Sequence, residues 1–105
     1  MKESFIENKL RVEVEKRGGL CQKWQSGWEG APDRIVIWPG GIVHFVETKA
    51  PNKDLRELQK YRQKQLMDRG CVSLRIRTPE EVMTYVRSMT WNSPQEEAKY
   101  MPQKE

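Results

Sequence analysis

The 105-residue chain carries 19 Lys and Arg against 15 Asp and Glu, a net charge of +4, and 36% of its residues are hydrophobic. That length supports one domain with one modest core, which excludes a cofactor domain joined to a separate substrate domain, and the basic excess suits a polyanionic partner. Two distant cysteines, Cys21 and Cys71, outline neither a zinc ribbon nor a disulfide framework, and no stretch approaches membrane-spanning length.

Residues 4 to 17 predict a helix with Ile6, Leu10 and Val14 in one stripe, stopped by Gly18-Gly19. Glu3 and Glu7 fall on nearly the same side as Leu10 and Val14, so an acid lies beside the buried stripe. Ser4-Phe5-Ile6-Glu7 also fits a capping box, in which Glu7 would only cap the helix start. Both readings of Glu7 stand on spacing alone.

Residues 20 to 26 predict a first strand with Leu20, Gln22, Trp24 and Ser26 on one face. A loop through Trp28 and Gly30-Ala31-Pro32-Asp33 leads into Ile35-Val36-Ile37-Trp38. Pro39-Gly40-Gly41 then turns the chain into Ile42 to Val46, an antiparallel hairpin. Asp33 starts one strand and Glu47 ends its partner, so the two acids are predicted neighbours in space. Val43, Phe45, Glu47 and Lys49 share one strand face, which carries a carboxylate and an ammonium toward a core edge, where charges need a partner or a metal. Singly, Gly30 to Asp33 also reads as a plain turn, and Glu47 with Lys49 as an ion pair at the strand edge.

Asp54 with Glu57 predicts the cap of a helix running to about Arg69, with Leu55, Leu58, Arg62 and Leu66 facing inward and Gln59 within one turn of that edge. Val72, Leu74 and Ile76 alternate with Ser73, Arg75 and Arg77 as a last strand. Thr78-Pro79-Glu80-Glu81 opens a helix carrying Val82, Tyr85 and Val86. From about Thr90 the chain is polar, with one short helix possible at Ser93-Pro94. The expected division is a domain over residues 1 to 89 and a polar tail over 90 to 105. His44, on the strand face opposite Glu47, is given no catalytic role.

Glu7, Gly30-Ala31-Pro32-Asp33, Glu47-Thr48-Lys49 and Gln59 follow one another as an acid on a first helix, G-x-P-D, E-x-K on the next strand and a glutamine on the following helix. In that order the chain resembles the VRR-NUC family of the PD-(D/E)XK nuclease superfamily, over roughly residues 3 to 86. The resemblance implies an α/β, restriction-endonuclease-like core with a central mixed sheet flanked by helices. It implies a Mg2+- or Mn2+-dependent DNA endonuclease in which Asp33, Glu47, Glu7 and the Thr48 carbonyl hold the metal. Lys49 would position the attacking water and Gln59 would support it, leaving 5′-phosphate and 3′-hydroxyl ends. Glu3 is the reserve for Glu7.

The resemblance also implies a homodimer acting on branched DNA such as four-way junctions or flaps. Trp28, Arg34, Lys53, Arg56 and Lys60 are the expected DNA contacts. Two alternatives are a non-catalytic DNA-binding module and a nuclease subunit that needs a partner such as a helicase. With no apolar run after Met1-Lys2-Glu3-Ser4, the expectation is an intracellular, cytoplasmic protein without a membrane partner.

Overall fold

In the computed structural model, which describes residues 1–89, Glu3–Lys16 form helix α1 and bury Ile6, Leu10 and Val14 completely. Its N-cap is Lys2, with no side-chain cap bond, so Ser4 and Glu7 form no capping box and Glu7 is left for other partners. The helix ends at Lys16, and the chain beyond it passes close to the sheet at Gly19. A Cβ there would lie 2.7 Å from Val14 Cγ1 and 3.0 Å from the Trp38 ring, so only glycine permits this approach.

Strands β1 (Leu20–Lys23), β2 (Arg34–Trp38) and β3 (Ile42–Thr48) form an antiparallel meander. Helix α2 (Glu57–Asp68) then crosses to β4 (Val72–Ile76), which runs parallel to β3 and completes a four-stranded mixed sheet in the order β1-β2-β3-β4. Strand β1 is shorter than its alternation predicts, although Trp24 N still donates to Asp33 O at 2.9 Å. Helix α3 (Pro79–Ser88) begins as expected: Thr78 accepts from Glu81 N and Pro79 occupies the first turn, where a missing N–H is harmless.

Helices α1 and α3 cover one face of the sheet. Ile6, Leu10, Val14, Val36, Val46, Ile76, Val82 and Val86 fill the space between them. Within this apolar layer, the Tyr85 hydroxyl accepts from Trp38 Nε1 at 3.0 Å and bonds His44 Nδ1 at 2.7 Å, which satisfies three buried polar groups at once. Burial holds the His44 imidazole below its ordinary pKa.

Two expectations need correction. The alternation in β3 keeps its predicted parity but not its predicted depth: His44, Val46 and Thr48 are buried, whereas Val43 on the Glu47 face is 40% exposed. Both α1 and α3 lie on the His44 face, so hydrophobicity in the strand does not decide which side is deep. Helix α2 starts at Glu57 rather than at Asp54, and Asp54 is not its cap. The Asp54 carboxylate accepts instead from Arg75 Nη1 and Leu55 N, both at 2.7 Å, which ties the segment to β4 before the helix can form. Of the predicted inward residues around α2, Leu55 is buried while Leu58, Arg62 and Leu66 are half-buried. The polar tail from residue 90, with Trp91 and the Ser93-Pro94 start, lies outside the described residues. Among those described, no helix is long and apolar enough to cross a membrane.

Candidate active site at the end of the β2–β3 hairpin

The hairpin register Arg34↔Val46 puts Asp33 opposite Glu47, and the contact is direct: Asp33 N donates to Glu47 Oε1 at 3.1 Å. The turn before it is fixed by Gly30, whose φ of +82° favours glycine and whose Cα lies against α2. A Cβ at Gly30 would stand 2.6 Å from Leu58 Cγ, so the loop docks on the helix that carries Gln59.

Glu47 belongs to the less covered face of the sheet and is still buried, because Gln59 closes over it. Gln59 Nε2 donates to Glu47 Oε2 at 3.0 Å, while its Oε1 accepts from Arg56 N at 2.8 Å. Lys49 Nζ lies 3.9 Å from the same Glu47 oxygen, and only 16% of the lysine side chain is exposed. Thr48 points to the other face and links the remaining acids. Its Oγ1 lies 3.3 Å from Glu7 Oε2 and 3.4 Å from Asp33 Oδ2, and its N donates to Asp33 Oδ1 at 3.4 Å.

Helix α1 contributes Glu3 and Glu7. Together with Asp33, each offers a carboxylate oxygen within 4.8 Å of the others. Glu3, the reserve from sequence, therefore joins Glu7 in the cluster instead of replacing it. Glu47 reaches this group through Asp33 and stands outside the trio itself. Arg34, expected at a DNA surface, turns inward: 13% of its side chain is exposed and Nη2 lies 3.5 Å from Glu7 Oε1. Lys53, Arg56 and Lys60 are exposed, and Lys60 pairs with Glu57 at 3.4 Å.

The electrostatics are those of carboxylates crowded without enough positive charge. Burial first, then the charge of Glu7, push the Asp33 carboxyl up to about 6. Burial and the charge of Asp33 push Glu47 up to about 7. A divalent cation would relieve both effects, and an all-oxygen donor set suits a hard ion such as Mg2+ or Mn2+.

Three participants escape sequence reasoning. Arg75 stands directly across from Glu47 in the parallel β3–β4 register, and its Nε is buried without a partner. Its alternation on β4 is legible, but its neighbour depends on strand pairing. The Thr48 hydroxyl is another, since sequence points only to its backbone. The third is Arg62, whose guanidinium lies 4.7 Å from the centre of the Trp28 ring.

A solved structure described as a VRR_NUC domain superposes with a TM-score of 0.77 and 28% identity, covering 83% of this chain and 96% of that one. The chain is therefore similar to a VRR-NUC domain in both fold and sequence. A phage protein, "Putative nuclease p44" of Acyrthosiphon pisum secondary endosymbiont phage 1, is 46% identical over 54 residues, which span 50% of this chain. The match covers 58% of that relative, so it extends over little more than half of the phage protein. No protein-family model matches the chain. The mixed four-stranded sheet with α1, α2 and α3 is thus the VRR-NUC fold, of the PD-(D/E)XK type.

Proposed function

We propose that this VRR-NUC-like domain is a metal-dependent DNA endonuclease. The observation that carries the reading is the meeting of Glu7 from α1, Asp33 just before β2, Glu47 from β3, Lys49 just after it and Gln59 from α2 at one end of the sheet. The nuclease name of the phage relative adds support.

Asp33, Glu47 and Glu7 are the residues that would hold Mg2+ or Mn2+, with the Thr48 carbonyl and Glu3 in reach of the same end of the sheet. When bound, the ion supplies Lewis-acid stabilisation of charge on the phosphate and activates water. Lys49, held beside Glu47, orients the attacking water and offsets negative charge that grows in the transition state. Water adds to phosphorus as the bond to the 3′ oxygen breaks and that oxygen takes up a proton. The products carry a 5′-phosphate and a 3′-hydroxyl. Gln59 fixes the Glu47 carboxylate and acts as a positioning residue. Arg34 serves as counter-ion to Glu7 within the site.

The exposed Lys53 and Arg56, with Lys60, lie around the start of α2 and contact the phosphate backbone. The family resemblance extends the proposal to branched DNA cut by a symmetric homodimer, each copy supplying one site. The test is cleavage of labelled linear duplex, single strand, flap and four-way junction in Mg2+, Mn2+ or EDTA. Metal-dependent cutting with junction or flap preferred supports the full reading. Equal cutting of linear duplex removes the branch preference, and no cutting by folded, DNA-binding protein removes the enzyme.

A further inference from the structure

Trp28 is exposed over 37% of its surface although it is one of the largest apolar side chains in the fold. It is not a loose loop residue. Its N donates to Ser26 Oγ at 3.0 Å, its O accepts from Ala31 N at 3.0 Å, and the next residue, Glu29, accepts through its carbonyl from Arg62 Nε at 2.9 Å. The close seat of Gly30 on Leu58 pins the same loop to α2.

Arg62 is held as firmly. Its Nη1 donates to Gln65 Oε1 at 2.9 Å, and its guanidinium stands 4.7 Å from the Trp28 ring centre and 5.6 Å from that of Tyr61, which is 55% exposed. An aromatic, a guanidinium and a second aromatic therefore stand together on the surface. Such a group offers flat π faces and positive charge at once, the combination that stacks unpaired nucleobases beside a phosphate backbone. A tryptophan used only for packing would bury its rings against aliphatic groups. Here the ring keeps a charged partner and open surface.

The location matters as much as the chemistry. Arg62 is three residues along α2 from Gln59, close to one helical turn, so the group sits about 5 Å along the helix from the residue that holds Glu47. Duplex DNA keeps its bases in the stack and offers such a surface only its phosphates, whereas a single-stranded segment also presents unpaired bases.

We infer that Trp28, Arg62 and Tyr61 form a stacking platform for an unpaired base of the DNA substrate, placed to hold single-stranded DNA beside the scissile phosphate. The inference rests on the nuclease reading. It gives that reading a specific preference: DNA with an unpaired segment next to the cut.

The test is equilibrium binding of the full chain, in EDTA so that nothing is cut, to a short single strand carrying 2-aminopurine and to the same strand annealed to its complement. Stacking on the platform quenches the probe in the single strand. In Trp28→Ala, the quench is lost and the ratio of single-strand to duplex affinity falls at least about fivefold, the low end for one stacked base. Trp28→Phe restores most of both. A folded Trp28→Ala protein with wild-type quench and wild-type ratio overturns the platform. Cleavage of both DNAs in Mg2+ is measured in parallel. Wild-type protein that binds neither and cuts neither overturns the nuclease reading, whereas cutting that ignores Trp28 and its quench overturns the platform alone.

Discussion

Gln59 Nε2 donates to Glu47 Oε2 at 3.0 Å while Gln59 Oε1 accepts from Arg56 N at 2.8 Å, so one amide fixes both the start of α2 and a carboxylate of the site. Replacing it by alanine frees Glu47 to rotate and leaves the Arg56 N–H without that partner. By analogy with residues that orient metal ligands, Gln59→Ala should lower kcat/KM about 10- to 100-fold. Steady-state cleavage with circular dichroism as a fold control checks this. Gln59→Glu should be worse than alanine, because it sets a second carboxylate against Glu47.

The raised pKa values of Asp33 and Glu47 give a pH dependence with a definite sign. Both acids ionise near pH 4 when unfolded but at about 6 and about 7 when folded, so the folded state binds their protons more tightly. Their contribution to stability is complete below about pH 4 and is lost as pH rises through about 6 to 7. In EDTA, wild-type stability should fall between about pH 5 and pH 8, and the fall should shrink in Glu47→Gln, whose side chain does not titrate. Added Mg2+ should raise the wild-type Tm more at the upper end of that window than at the lower, and cleavage should climb through it. A metal-induced Tm shift independent of pH would show that these carboxylates do not bind the ion.

Tyr85→Phe removes the hydroxyl that serves both Trp38 Nε1 and His44 Nδ1 in the core. Burial leaves little room for water to replace it, and the change should cost about 1 to 3 kcal/mol. Urea denaturation measures the loss, and DNA cleavage below the unfolding range should be nearly unchanged, since these groups meet on the face of the sheet opposite Glu47.

Gly30→Ala meets two penalties together, a φ of +82° and a Cβ 2.6 Å from Leu58 Cγ. Backbone strain of this kind costs about 1 to 3 kcal/mol. The loop should also lift from α2 and carry Asp33 with it, so kcat/KM should fall by more than the stability loss explains. Thermal melts and kinetics at a temperature where the variant is folded separate the two effects.

The sequence is most informative where local rules act alone. Ile35 to Trp38, the Gly40-Gly41 turn and Ile42 to Val46 spell out a hairpin, and the hairpin alone brings Asp33 to Glu47. Thr78-Pro79 marks the start of α3 for the same reason. What depends on packing is less legible. Alternation in β3 reveals two faces but not that both α1 and α3 choose the His44 side. Asp54 has the chemistry of a helix cap, yet a 2.7 Å ion pair with Arg75 claims it. Arg34 looks like a surface cation until Glu7, 27 residues earlier, is placed beside it. Each of these depends on a contact between distant segments, which a local pattern does not encode.

The central claim is that Asp33, Glu47 and Lys49 form a metal-dependent phosphodiesterase centre. The most direct test is single-turnover cleavage of a labelled four-way junction or flap by wild type, Asp33→Asn, Glu47→Ala and Lys49→Ala, in Mg2+ and in EDTA, with the fold of each protein verified. The account predicts cutting by wild type in Mg2+ alone and a loss of about a hundredfold or more in each variant, as for removal of a principal electrostatic group. Cutting in EDTA, or variants that cut at the wild-type rate, would contradict it.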